Sequence, residues 1–430
     1  MAQNPLSTAL LCLVWKDNEG SFPESKTQLY EDITRCILQR YRTRERLPET
    51  KGDLIKEYKS QLKHLGQIAW NGLLDQKLDF EESELGGHAD KLSAFGFLSV
   101  QLGSSMITPC RRFSFQHKSF QEWFAAFFLS CQLIQKDTSP EILVSFSRKN
   151  SHQLKEVLPF TCGLLAARRK EEAEALTKYI MQRVNQGSDG WLTVVLECTR
   201  ECNQDKCFQA QLTRDLGLLL RLNTLRLAQR QIDATHVVLL GKVLTSNSTL
   251  TELDLSRNSI SDAGAKSLAG ALKSNSKLMK LYLTRNEIGD DGAEGLADGL
   301  RSNTTLSTLH LSSNGIADNG ATWLAQALAY NQTMKILYLD NNLIGDAGAI
   351  SLVVALESNA TMTVLYLNKN RIGDAGVRHP SGALKVNTTL AVLELEGNKI
   401  GDGGAAHVAD ALRSNKKVTV GGFTRTINTF

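Results

Sequence analysis

One residue returns every 28 positions through the second half of the chain. Asn258, Asn286, Asn314, Asn342, Asn370 and Asn398 keep that interval throughout, and a fixed period of this length confines the chain to a solenoid of stacked units. Each unit opens with L-x-L, as in Leu253-Asp254-Leu255. That is a short strand whose leucines point inward and whose middle residue points out. The asparagine then turns the chain inward, and its amide can donate and accept toward buried backbone groups of adjacent turns. Asp262, Asp290, Asp318, Asp346, Asp374 and Asp402 follow, each placed to cap the helix that starts there. A glycine comes two residues later, from Gly264 to Gly404, where a side chain would obstruct close packing of helix on strand. Ala265, Leu268, Ala269 and Leu272 trace one apolar helical face.

This pattern resembles the leucine-rich repeat of the long, ribonuclease-inhibitor type. The resemblance implies a right-handed α/β horseshoe over residues 216–430, about seven to eight units with strands inside and helices outside. Departures mark its ends. Arg230 stands where the first unit should carry its asparagine, as expected of an atypical first repeat. Pro380 and Gly382 fall inside a helix and should shorten or break it. After Asn398 the pattern decays into KKVTVGGFTRTINTF, so the last strand should be irregular.

The middle strand residues, Asp254, Tyr282, His310, Tyr338, Tyr366 and Glu394, should line the concave face as an aromatic stripe with acidic ends. Aromatic residues are favoured anchors for a partner; a simply solvated sheet is the alternative. Asn247, Asn303, Asn331, Asn359 and Asn387 each form an N-x-T sequon. They share one place in the repeat, just after each helix, where asparagine suits a left-handed residue. They are expected at exposed helix ends, so that Asn303→Ala should cost much less than Asn314→Ala in the buried ladder. The stretch ILYLD ending at Asp340 imitates a strand-ending magnesium carboxylate but is one more copy of the repeat strand.

The first half has helical spacing. SKTQLYEDITRCILQRY places Leu29, Ile33, Cys36 and Ile37 on one face, and KSQLKHLGQIAWNGLLDQK does the same with Leu62, Leu65, Ile68, Ala69 and Leu73. DKLSAFGFLSVQL, a loop and RRFSFQHKS predict a helix and two short strands, a winged-helix-like order, with EESE as a solvated loop. Further helices follow in SHQLKEVLPFTCGLLAARR and KEEAEALTKYIMQRV. LSTALLCLVW imitates a signal-peptide core, but no positive charge precedes it; it is expected to be an amphipathic helix. The longest apolar run, WFAAFFLSCQLI, is too short to span a bilayer.

In order, NPLSTALLCLVW, LYEDITRCIL, LGQIAWNGLL, LSAFGFL, FSFQHKSFQEWFAAFFLS and LPFTCGLL resemble the region after the nucleotide-binding core of NACHT-type receptors, the nucleotide-binding leucine-rich-repeat (NOD-like) proteins of animal innate immunity. The resemblance implies a remnant of the first helical domain at 1–20, a winged-helix domain at 21–135 and a second helical domain at 136–215. It implies that His117, in F-x-H-x-S-F-Q-E, meets the diphosphate of a bound nucleotide, and that Pro5 lies near the adenine. The alternative is that His117 is only a core-edge histidine; Phe113, Phe115, Phe120, Trp123, Phe124, Phe127 and Phe128 are mostly core on either reading.

No G-x-x-x-x-G-K-[ST] occurs, since Gly241-Lys242 is followed by Val243. Without that phosphate cradle the chain is not expected to hold ATP or ADP unless a NACHT core is supplied. It begins inside a family motif at Asn4-Pro5, so a fragment is expected. There is no H-E-x-x-H or G-x-S-x-G, and an enzyme is not expected. A net charge of +4 over 430 residues gives no nucleic-acid surface. Eight cysteines, all in the first half, show no disulfide framework, and the CTRECNQDKC cluster lacks paired metal-ligand spacing. A cytoplasmic, non-enzymatic receptor portion is expected, its repeats meeting a protein or a microbial or danger ligand. A stand-alone scaffold of the ribonuclease-inhibitor kind and a GTPase-activating repeat protein remain as alternatives.

Overall fold

The computed structural model describes residues 11–12, 14–16, 20–102, 111–135, 151–378 and 380–422. They form two compact units, residues 1–183 with 194–212, and residues 184–193 with 213–430.

In the first unit the Lys26–Arg44, Leu54–Glu57 and Lys59–Leu74 helices precede strand β1 (Asp79–Glu81), the short Glu82–Leu85 helix and the Ala89–Phe95 helix. Strands β2 (Leu98–Leu102) and β3 (Arg111–Phe115) follow, giving an antiparallel sheet of order β1-β3-β2 with Phe80 opposite Phe113. The EESE stretch is helical rather than looped. Glu81 and Glu84 form a reciprocal capping box, which satisfies backbone donors that a loop would leave to water. The Lys59–Leu74 helix crosses the Lys118–Ile134 helix closely at Gly66, where a Cβ would stand 2.5 Å from the Phe124 carbonyl oxygen and 2.9 Å from Phe128 Cβ. Between them lies the aromatic core. Trp123, Phe97, Phe113, Phe124 and Phe127 are almost wholly buried, and Phe97 meets Phe124 edge-on with centroids 4.8 Å apart. Residues 11–12 and 14–16 are helical, with Val14 buried and Trp15 exposed.

Helices Ser151–Ala166, Lys170–Asn185, Trp191–Glu201 and Lys206–Leu219 continue the chain. Within the first unit Glu201, 1% exposed, reaches the start of the Lys26–Arg44 helix. Its carboxylate accepts the Lys26 N–H at 3.2 Å, the Thr27 N–H at 2.7 Å and the Thr27 hydroxyl at 2.7 Å. Cys162, Cys198 and Cys202 are buried free thiols, and burial raises the pKa of each.

The second unit is a parallel sheet of eight strands in chain order: β4 (Thr224–Arg226), β5 (Glu252–Asp254), β6 (Lys280–Tyr282), β7 (Thr308–His310), β8 (Ile336–Tyr338), β9 (Val364–Tyr366), β10 (Val392–Glu394) and β11 (Thr419–Gly421). Each strand pairs in register with its copy one repeat away, as Leu253 with Leu281 and Leu281 with Leu309. The inward leucines are buried throughout. Helices Asp374–Arg378 and Pro380–Val386 lie on either side of position 379, and the break expected beside Pro380 falls there, outside the described residues.

The asparagine ladder forms as the pattern requires. Asn286 donates from Nδ2 to the Leu255 carbonyl at 2.9 Å, and its Oδ1 accepts the Asn258 N–H at 3.2 Å. Two expectations about its surroundings are corrected. Asn314 is only half-buried, although its Nδ2 donates to the Leu283 and Leu311 carbonyls at 2.9 and 3.0 Å like the other rungs. Asn303, expected at an exposed helix end, is 4% exposed. Its φ of −79° is extended, not left-handed. The sequon asparagines build a second ladder. Asn303 donates from Nδ2 to the carbonyls of Leu272 (2.8 Å) and Asn275 (3.2 Å) and accepts the N–H groups of Thr305 (3.0 Å) and Leu306 (2.7 Å). Asn247, Asn331, Asn359 and Asn387 do the same, all nearly buried. An amide so occupied cannot carry a glycan in the folded chain.

The aspartates are also corrected. Asp290, Asp318, Asp346, Asp374 and Asp402 lie inside the first turn of their own helices, behind N-cap residues such as Gly289 and Ala317 that make no side-chain cap. The carboxylates of Asp290, Asp318, Asp346 and Asp374 reach the following repeat instead. Asp290 Oδ1 accepts the N–H groups of Ala317 at 2.7 Å and Gly320 at 2.9 Å. Each repeat thus caps the next helix, supplying an acceptor to orphan first-turn donors. This is what the recurrent glycine is for: a Cβ on Gly320 would stand 2.6 Å from that Asp290 oxygen.

Candidate functional site

Strand alternation carries the middle residues of the second unit onto the solvent face of its sheet, and the in-register pairing stacks them in one column. Asp254 pairs with Tyr282, Tyr282 with His310, His310 with Tyr338, Tyr338 with Tyr366, and Tyr366 with Glu394. Adjacent strands lie about 4.8 Å apart, close to aromatic stacking distance, so identical rotamers bring the rings face to face. Centroids are 4.4 Å apart for Tyr282–His310, 3.8 Å for His310–Tyr338 and 4.3 Å for Tyr338–Tyr366, with interplanar angles of 25°, 13° and 6°.

The expected stripe is therefore a continuous stack. Its ring faces are used internally, leaving the ring edges and tyrosine hydroxyls to meet a partner. Aromatic edges carry the positive part of the ring quadrupole, so the stack suits hydrogen-bond acceptors and aliphatic groups better than cations laid on a ring. Burial raises the hydroxyl pKa of Tyr282 and Tyr338, which keeps both protonated as donors at neutral pH.

Burial between two rings also pushes the His310 imidazole down to about 4, against the attraction of Asp254 and with a small repulsion from Lys280. The folded value lies below the ordinary one, so the neutral ring's contribution to stability is present above about pH 6.5. It is lost as the pH falls toward about 4. The urea midpoint of the protein should fall over that window, and His310→Phe should flatten the fall. Identical pH profiles for the two proteins would exclude the stack as its source.

Two further columns flank the stack, and the repeat pattern does not mark them because their residue types vary from unit to unit. Ile336, Val364 and Val392 lie two residues before the central positions, and Ser312, Asp340, Asn368 and Glu396 two residues after, on the same face by strand alternation. Asp340 is tied into this lattice. It accepts the Asn368 N–H at 3.0 Å and the Ser312 hydroxyl at 3.2 Å, and burial raises its pKa. Among the described residues no group of His, Cys, Asp or Glu is placed to hold a metal ion.

Of the nucleotide-associated positions, Pro5 lies outside the described residues. His117 is not a core histidine: it is exposed and caps the Lys118–Ile134 helix, its Nδ1 accepting the Ser119 N–H at 3.2 Å. Ser119 Oγ also contacts that nitrogen and accepts the hydroxyl of buried Tyr30. With Nδ1 occupied as an acceptor, the neutral ring carries its proton on Nε2. One exposed donor does not make a nucleotide site. The seven aromatic residues around it are core, as expected. A cavity of about 590 Å³ in the first unit is lined by Glu31, Arg35, Phe127 and Arg168 among others. Its arginines are committed to carboxylates, Arg35 to Asp32 at 2.8 Å and Arg168 to Glu31 at 3.4 Å.

Residues 246–269, 274–297, 302–325, 330–353, 358–378 and 386–409 match the sequence family described as leucine rich repeat. Among curated proteins, NLR family CARD domain-containing protein 4 of Rattus norvegicus is 27% identical over 207 residues, covering 45% of this chain and 19% of that protein. NACHT, LRR and PYD domains-containing protein 12 of Mus musculus is 33% identical over 102 residues, covering 24% of this chain and 10% of that protein. The matches thus span 19% and 10% of the length of these two relatives. Similar solved structures include leiomodin-1 actin-binding site 2, with TM-score 0.30, 22% identity and coverage of 34% of this chain and 87% of that one. Internalin C2 of Listeria monocytogenes has TM-score 0.32, 21% identity and coverage of 48% and 83%. No described helix is long and apolar enough to cross a membrane.

Proposed function

We propose that this chain is the regulatory and recognition portion of a cytoplasmic NOD-like innate immune receptor, binding a protein or a microbial or danger ligand on its repeat sheet. The observation that carries the reading is the stacked Tyr282–His310–Tyr338–Tyr366 column, open to solvent on repeats whose relatives include NLR-family proteins. The first unit supports the receptor part of the reading through its element order. Helices, β1, helices and the antiparallel β2–β3 pair are what a winged-helix domain would present. In such a receptor His117 would offer its Nε2–H to an acceptor on a NACHT core, holding the resting state by intramolecular docking. Any ATP or ADP would belong to that core. The reading gives the chain itself no catalytic role, no cofactor and no nucleic-acid partner.

Replacing Tyr338 and Tyr366 together by alanine should weaken partner capture by about tenfold or more, as the loss of central aromatic anchors does. Quantitative recovery of proteins on the immobilised wild-type and double-variant chains tests this, with circular dichroism confirming an intact fold. Equal recovery of every retained protein would overturn the assignment of the sheet face. A stand-alone scaffold would show the same loss; it is separated by whether the protein docks onto a receptor NACHT core in a His117-dependent way.

A further inference from the structure

The three columns of the sheet face are not uniform along the repeats. Toward the first repeats both signs of charge alternate: Lys280 pairs with Glu252 at 3.3 Å, and the exposed Arg226 is in register with Asp254 of the adjoining strand. Over β8, β9 and β10 the face becomes a graded surface. Ile336, Val364 and Val392 form an aliphatic column, Tyr338 and Tyr366 the centre, and Glu394 and Glu396 an acidic corner, with Asp340 two strands away across Asn368. Among the described residues neither Glu394 nor Glu396 takes part in an ion pair. Glu394 follows Tyr366 in the column, in register with it, and its carboxylate lies over Gly421 of β11. Glu396 lies four residues beyond Val392, roughly 13 Å at an extended rise, with Glu394 midway in the central column.

We propose that this end of the sheet receives a basic amphipathic segment, with aliphatic side chains along one edge and lysine or arginine along the other. The inference rests on the reading of the sheet as the recognition face and narrows its partner. Complementarity decides it. An acidic segment would bring like charge against Glu394 and Glu396, while a wholly apolar one would strip water from both carboxylates without a partner. A segment bearing cations over the aromatic centre is disfavoured as well, because the Tyr338 and Tyr366 faces are already stacked on each other.

The test is selection of a random peptide library of about twelve residues, displayed on phage, against the immobilised full-length protein. Binding of the enriched synthetic peptides is then measured by fluorescence anisotropy. The expected result is enrichment of aliphatic residues interleaved with lysine and arginine, with affinity that falls as salt is added. The double substitution Glu394→Gln, Glu396→Gln should weaken these peptides about tenfold, and Val364→Lys should do the same from the other edge. If enriched peptides lack basic residues but lose binding in the Tyr338→Ala, Tyr366→Ala protein, the basic partner is overturned and the recognition face stands. If nothing is enriched, or no enriched peptide responds to any of these substitutions, both are overturned.

Discussion

Asn331→Ala should be among the most destabilising single substitutions in the repeats, although the residue heads a sequon and follows a helix. Its Nδ2 donates to the carbonyls of Leu300 at 2.8 Å and Asn303 at 3.0 Å, and its Oδ1 accepts the N–H groups of Thr333 at 2.9 Å and Met334 at 2.7 Å. The site is 3% exposed, so water cannot take over these roles. Each buried group left unpaired costs about 1–3 kcal/mol, and the sum should reach about 3–5 kcal/mol. Asn314→Ala, in the half-buried rung of the other ladder, should cost about 1–3 kcal/mol. Urea midpoints of the two variants decide the order. A midpoint for Asn331→Ala equal to that of the wild type would sink the second ladder.

Glu201→Ala should cost about 3 kcal/mol, because three donors on Lys26 and Thr27 lose a charged acceptor at once. The carboxylate also sits at the positive end of the Lys26–Arg44 helix. Thr27 has no room to find another partner: a Cβ on Gly163 would come 2.3 Å from its hydroxyl oxygen. Hydrogen exchange gives a local readout. The Thr27 amide should lose protection in the variant while the repeat amides keep theirs. Unchanged protection at Thr27 would show that the helix start is held by other contacts, such as Ser25 Oγ accepting the Gln28 N–H at 3.0 Å.

Periodicity made the repeat unit legible, because register follows from spacing alone. Leu253, Leu255, Asn286 and Tyr338 could be assigned a direction without knowing any contact. What spacing does not reveal is which neighbouring unit a side chain reaches. Asp290 looks like the cap of its own helix in one dimension, and only the offset between stacked helices carries its oxygen to Ala317 and Gly320. The sequon asparagines were misjudged for a related reason. A helix end in an isolated unit is exposed, whereas in a stack its asparagine packs against carbonyls of the preceding unit.

The flanking columns were visible as alternation at Ile336 and Val364, but the eye stops at the aromatic positions. In the first unit, the Glu201–Thr27 contact joins residues 174 positions apart. No local pattern announces it. His117 shows the same limit in miniature, since its surroundings in sequence are aromatic and its surroundings in space are a helix terminus and solvent.

The cap and ladder bonds give the repeats an arithmetic of their own. Asp290 reaches 27 and 30 residues forward, and Asn314 accepts from groups 28 and 26 residues back. Every donor in one unit therefore has an equivalent donor one unit further on. Excising a whole unit from the middle of the array would rejoin each acceptor to a donor of the same kind, with nothing buried left unmatched. Excising half a unit would orphan an entire set. Length in this domain is consequently quantised: insertions and deletions are tolerated in steps of one repeat, and each step lengthens or shortens the aromatic stack by a single ring or interrupts it with whatever the new strand carries at its centre.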